Sequence, residues 1–220
     1  FIVAEEQVLW KNATDRPSIM DVTKTAGKIE LDNSNSDIVT VKGSRFEAKF
    51  DKNTGTIYSL KYGNETVITD GNGPKLNAFR AFVNNDNWFY SQWFENGLHK
   101  LDHKATNVNV VKKDNGTVVL AFTVESQAPN SAIIKGGTSS GRNTIEEQAE
   151  KPEFMFTTNQ IWTVYPDGSI ELQASITSNK SSVVLPRLGY LVRVPKVYSD
   201  FTYYGRGLID HYSDRISGQF

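Results

Sequence analysis

Along most of this chain, β-branched and aromatic residues alternate with polar ones over short runs that Gly, Asn and Asp interrupt. That is the pattern of antiparallel strands joined by tight turns. The clearest case is residues 161–176. Ile161, Thr163 and Tyr165 share one face of a first strand, and Trp162 and Val164 the other. Pro166, Asp167 and Gly168 then supply turn chemistry before Ile170, Leu172, Ala174 and Ile176 line a second strand, which predicts a hairpin. Residues 46–50, the turn at 51–55, residues 57–60, the turn at 62–64 and Val67-Ile68 predict a meander. Residues 108–111, the turn at 113–116 and residues 118–124 repeat the pattern.

Helical periodicity is weak, and the best candidate is a short helix within residues 88–99, carrying Trp88, Phe89, Trp93, Phe94 and Leu98. Residues 129–152 are polar, with Gly136, Gly137 and Gly141 near their centre, and read as a long mobile loop or a hairpin excursion. Residues 15–29 are poor in apolar side chains and read as a linker after a strand-like start. A lone strand cannot be a domain, so the start is expected to pair with a sheet elsewhere.

Composition narrows the function classes. The 220 residues suffice for one sizeable core or two small ones, and 38% hydrophobic with 22% charged residues is the balance of a folded chain rather than a disordered one. Lys+Arg 24 against Asp+Glu 25 gives a formal charge of −1, so neither nucleic acid nor an anionic membrane is an expected partner. With Cys 0 there is no disulfide framework, no thiol nucleophile and no cysteine metal site. The compartment stays open.

The chemistry-bearing residues are few. Glycoside hydrolysis needs two carboxyl groups about 5–10 Å apart, one of them with a raised pKa. Glu5 and Glu6 are adjacent on a presumed strand and point to opposite faces, whereas Glu146 and Glu147 fall in the polar excursion, where water keeps both ionised. His99 and His103 stand four apart but lack the intervening Glu of zinc-binding helices, and read as an exposed pair. The sequons at Asn12, Asn64, Asn115 and Asn179 are what Asn-rich turns produce by chance.

Two segments stand out. Residues 73–86 followed by Trp88 and Trp93 gather a guanidinium, amides, a carboxylate and indoles, the mixture that sugar sites use, so Arg80, Asn85, Asp86 and Trp88 are candidate carbohydrate-binding residues. The same residues also suit a structural Arg80–Asp86 ion pair that pins an irregular crossover beneath tryptophans. Residues 201–215 place Tyr, Asp and Arg around Gly205 and Gly207, a composition for a hydrogen-bonded loop.

These segments carry a resemblance to the C-terminal small-chain domain of bacterial β-galactosidases of glycoside hydrolase family 2. The second resembles that family's aromatic pair followed by Gly-x-Gly-Pro-x-Glu-Asn-Tyr-x-Asp-Arg, matching at Tyr203, Tyr204, Gly205, Gly207, Tyr212, Asp214 and Arg215 and departing at Leu208, Asp210 and His211. The first is similar to Asn-x-x-Arg-Ala-Pro-x-Asp-Asn-Asp, with Asn77, Arg80, Ala81, Asn85 and Asp86 kept but Phe82 and Asn84 in place of Pro and Asp. Pro186, Arg187 and Gly189 match a further motif, and Ala4 to Gln7 resemble the last strand of the preceding immunoglobulin-like domain.

The resemblance implies an all-β fold, an antiparallel β-supersandwich of the galactose-mutarotase-like type that stops before its C-terminal part. Residues 1–14 would be the last strand of an immunoglobulin-like domain, 15–29 a linker, and 30–220 the N-terminal part of the supersandwich. It implies a non-catalytic domain that frames a carbohydrate site in a retaining β-galactosidase, whose catalytic glutamates lie in another domain. Gly205, Gly207, Tyr212, Asp214 and Arg215 would be structural. The fragment would need no cofactor, with any divalent metal in the parent's other domains. Its partners would be those domains and, through them, a galactoside, and its unpaired strands would favour self-association. The parent's compartment stays unknown, with the bacterial cytoplasm and the periplasm both open. Two other readings are a stand-alone carbohydrate-binding module and a mutarotase-like aldose epimerase, the latter requiring a His acid and a carboxylate base in one pocket.

Overall fold

A computed structural model describes residues 27–114, 116–135 and 144–200. The chain divides into a unit of Val22–Pro195 and a second unit of Phe1–Asp21 with Lys196–Phe220. Of the second unit only residues 196–200 are described, and they form no strand or helix. The strand expected at residues 1–14 and the motif at residues 205–215 lie outside the described residues.

The larger unit is an antiparallel all-β sandwich. Its first sheet is a five-stranded meander of β1 (Glu30–Asp32), β2 (Ile38–Lys42), β3 (Phe46–Asp51), β4 (Thr56–Tyr62) and β5 (Glu65–Ile68), each strand bonded to the next. After β6 (Lys75–Asn77), a 3-10 turn at Asn84–Asp86 and helix α1 (Tyr90–Glu95), the chain forms β7 (Asp102–Lys112) and β8 (Val118–Gln127). β9 (Ala132–Lys135) and β10 (Thr144–Glu147) then pair as a hairpin, the second form expected for the polar excursion. β11 (Phe156–Val164) and β12 (Ile170–Ser178) complete a four-stranded sheet ordered β12-β11-β8-β7. Finally β13 (Gly189–Leu191) returns to pair with β6.

Strict alternation explains how the two sheets meet. Phe46, Ala48 and Phe50 of β3 point inward, as do Val118, Leu120, Phe122 and Val124 of β8. These residues merge with Ile29, Val39, Val41, Ile57, Trp162 and Val164 into one core. Ile29, at the end of the expected linker, is therefore seated in that core at 1% exposure. Trp162 ties the sheets together. Its ring meets Phe50 edge-on at 5.6 Å, and its indole N–H lies 3.2 Å from the Gly55 carbonyl, on the turn between β3 and β4. Gly55 has φ +69°, and a Cβ there would come within 2.6 Å of Val124, so the turn sits on the opposite sheet only because it has no side chain.

A second core lies under the crossovers, where Leu76, Ala78, Trp93, Leu98, Phe154 and Phe156 cluster. The helix supplying Trp93 is shorter than residues 88–99. Its end is fixed by Gly97 at φ +69°, whose N–H bonds to the Phe94 carbonyl at 3.0 Å while the Leu98 N–H reaches the Trp93 carbonyl at 2.8 Å. This pair of bonds is the Schellman closure, and it brings Leu98 back onto Trp93 within the second core. Among the described residues, no helix is long and apolar enough to cross a membrane.

Candidate functional site

The segment from Asn77 to Trp93 is positioned from both ends. β6 pairs with β13 in the register Gly189↔Asn77, Tyr190↔Leu76 and Leu191↔Lys75, so the Pro186–Gly189 motif is brought onto the Asn77–Asp86 motif by topology alone. Side chains then lock the junction. The Arg80 guanidinium donates to both carboxylate oxygens of Asp86, Nη1 to Oδ2 at 2.7 Å and Nη2 to Oδ1 at 2.9 Å, in the forked geometry of the strongest ion pairs. Its Nε lies 3.3 Å from the Pro186 carbonyl, and Nη1 also reaches the Ala81 carbonyl at 3.0 Å. The guanidinium sits 5.5 Å from the centre of the Trp93 ring, within the range of a cation–π contact.

Asp86 closes the loop by accepting the Val83 N–H at 2.7 Å. Its side chain is 12% exposed, against 37% for Arg80. The hydrogen bonds from Arg80 are the main reason that its carboxyl is held below the ordinary carboxylate pKa, with the Val83 N–H acting in the same direction. Trp93 is buried and donates its indole N–H to the Val184 carbonyl at 2.9 Å. Phe82 stacks on Tyr90 at 4.6 Å.

Of the four candidate carbohydrate-binding residues, Arg80 and Asp86 are thus paired with each other. Asn85 is exposed and Trp88 is 84% exposed, beside a partly exposed Phe89. The arrangement is a rigid clip with an aromatic side chain standing in solvent next to it.

A second polar cluster joins the β9–β10 hairpin to the turn after α1. Glu147 accepts from Lys100 at 2.9 Å and from the Asn130 amide, and lies 3.8 Å from Nε2 of His99, beyond hydrogen-bond reach. The Lys100 hydrogen bond leads in holding its carboxyl below the ordinary range. Glu146 pairs with Lys135. The two glutamates are therefore each engaged by side chains of the protein.

The histidines differ from the exposed pair expected from sequence. His99 lies in the turn after α1 with its ring against both Phe79 and Phe94, which also touch each other, and burial lowers its pKa. His103 lies on β7, with Nδ1 2.8 Å from Oγ of Ser126, its cross-strand partner. Burial, with the charge of Lys75, lowers its pKa to about 4, so it is neutral at pH 7. The Ser126–His103 contact is not a nucleophile and its base, because Ser126 is fully buried and no substrate can approach it. The cluster was missed in sequence because its members come from 99–103, 126–130 and 146–147, which only strand pairing unites. Among the described residues there is no group of three or more His, Cys, Asp or Glu that could hold a metal ion.

A family model described as Beta galactosidase small chain matches residues 42–220. The β-galactosidase of Priestia megaterium is 25% identical over 216 residues, covering 98% of this chain and 18% of that protein. That of Halalkalibacterium halodurans is 25% identical over 187 residues, 82% of this chain and 16% of its own length. That of Psychromonas ingrahamii is 23% identical over 220 residues, 98% of this chain and 20% of its own. The chain thus spans no more than about one fifth of the length of these curated relatives.

Proposed function

This chain belongs to the β-galactosidase small-chain family, and on that premise we propose that it is a non-catalytic domain of a larger β-galactosidase, holding architecture and framing a carbohydrate site while other domains cleave terminal β-D-galactosyl bonds with retention. One observation carries the non-catalytic part. A glycosidase acid must be kept protonated by a raised pKa. Among the described residues, the carboxyl groups with a displaced pKa, Asp32, Asp37, Asp86, Glu147, Glu153 and Glu171, are all displaced downward, each chiefly by a side-chain hydrogen bond. They are held as anions. Val184, Leu188, Leu191, Val192 and Val194 are 41–47% exposed and offer an apolar surface to the other domains of the parent.

The test is direct. The 220-residue chain, incubated with a chromogenic β-galactoside, is expected to release no product. Turnover that copurifies with the chain and disappears when one of its own carboxylates is replaced by Ala would overturn the reading.

A second reading, direct carbohydrate binding, is favoured by the 84% exposure of Trp88 beside the rigid Arg80–Asp86 clip. It expects galactose or lactose to perturb the tryptophan fluorescence in a saturable way that Trp88→Ala abolishes. A flat titration removes it.

A further inference from the structure

Beside β6 and β13 lies a cavity of about 590 Å³, within the range that small-molecule sites occupy. Lys75, Asn77, Lys100, Asp102, His103 and Arg193 line it, with leucines between them. Its charge is unbalanced. Lys100 is paired with Glu147, but Lys75 and Arg193 have no carboxylate partner in an ion pair among the described residues, and Asp102 alone opposes them. Both cations line the cavity at the end of the strand pair. Lys75 stands opposite Leu191, Arg193 is two positions further along the same chain, and the Arg193 N–H is anchored on the Asn72 carbonyl at 3.0 Å.

The rest of the lining suits hydroxyl groups. Asn77 offers an amide donor and acceptor. His103 is fixed by its bond to Ser126, which commits Nδ1 and leaves Nε2 for a ligand. Leucine side chains can cover the C–H face of a small ring. An anionic group near Lys75 and Arg193 would gain two charge-assisted hydrogen bonds where the carboxylates of the described residues provide none.

We propose that this cavity binds an anionic monosaccharide, a hexose phosphate or a uronic acid, with Lys75 and Arg193 receiving the anionic group and Asn77 and His103 the hydroxyls. The site is independent of the clip at Arg80 and of the function proposed above. The whole chain is titrated by calorimetry with galactose 6-phosphate, galacturonate, galactose and inorganic phosphate, while NMR follows the ε1 proton of His103. At least one of the two sugar anions is expected to bind saturably and at least about ten-fold more tightly than galactose or phosphate, shifting the His103 signal. The stronger of the two identifies a phosphate or a carboxylate site. Lys75→Gln and Arg193→Gln are each expected to weaken it about ten-fold without lowering the melting temperature. Arg193 is exposed, so its variant keeps the test informative if the Lys75 variant folds poorly. The proposal is overturned if neither anion saturates, if galactose or phosphate binds as tightly, or if the folded variants bind like the wild type.

Discussion

Replacing Arg80 by Met would remove both guanidinium bonds to Asp86, the contacts to the Pro186 and Ala81 carbonyls and the position over Trp93, while keeping most of the stem's apolar volume. A hydrogen bond to a charged group contributes about 1.5–3 kcal/mol when buried, whereas an exposed ion pair contributes about 0–1 kcal/mol. This pair lies between those limits, with Asp86 largely covered and Arg80 more than one third exposed. We therefore expect Arg80→Met to destabilise the chain by about 2 kcal/mol. For a unit of this size that is a fall in melting temperature of roughly 4–8 °C. Asp86→Asn is expected to cost a similar amount, because it also weakens the bond to the Val83 N–H.

The double variant is expected to be less destabilised than the sum, with a coupling of about 1–2 kcal/mol. Urea unfolding followed by far-UV circular dichroism, which avoids the perturbed Trp93, measures all four chains. Acid adds an independent check. Because the Asp86 carboxyl is held below its ordinary range, its contribution is fully present above the ordinary carboxylate pKa and is lost as pH falls through the lower folded value. The gap between wild type and Arg80→Met should thus be constant near neutrality and shrink in strong acid. Additive single effects, or a gap that ignores acid, would refute the clip.

Three further outcomes follow from local geometry. Gly63 and Gly97 share a left-handed backbone, but a Cβ at Gly63 meets nothing within 4 Å whereas one at Gly97 falls 2.2 Å from the Ala128 Cβ. Gly63→Ala should therefore cost about 1 kcal/mol of strain and Gly97→Ala a further 1–3 kcal/mol or so, and equal urea midpoints would contradict this. Thr158 is fully buried, and its hydroxyl has no hydrogen-bond partner among the described residues, so Thr158→Val should raise stability by about 1 kcal/mol in the same assay. His103 has a folded pKa of about 4, below its ordinary value of 6.5, so the unfolded chain takes up its proton first. Stability should then decline as pH falls from about 6.5 to about 4, by about 1.4 kcal/mol per pH unit from this residue, and pH-dependent melts of His103→Gln should lack that share of the slope.

What the sequence determined by itself is the strand-and-turn framework. Alternation placed Phe46, Ala48 and Phe50 on one face of β3, and the Pro166–Gly168 and Asp51–Gly55 turns sit where turn chemistry demands them, with Asp51 accepting from the Asn53 N–H at 2.7 Å. These are local properties, fixed by φ/ψ preferences and period-two geometry, so a linear reading reaches them. Periodicity could not decide which face of a strand is the core. On β11 both faces carry apolar side chains, yet Thr158 and Gln160 lie inside with Trp162 while Ile161 is 44% exposed. The neighbouring β8 imposes that choice, because its own inward row of Val118, Leu120 and Phe122 sets the face on which the two sheets meet. The helix was legible in kind but not in length, since Gly97 ends it through a backbone conformation rather than through a loss of apolar periodicity. The candidate residues Arg80 and Asp86 were visible as a composition, but the carbonyl that anchors Arg80 belongs to Pro186, 106 residues further on. The pairing of β6 with β13 brings the two together, and it also sets Lys75 opposite Leu191, in the lining of the cavity that Arg193 shares. Such convergence depends on which strands the cores hold side by side, and that is a property of the packed whole.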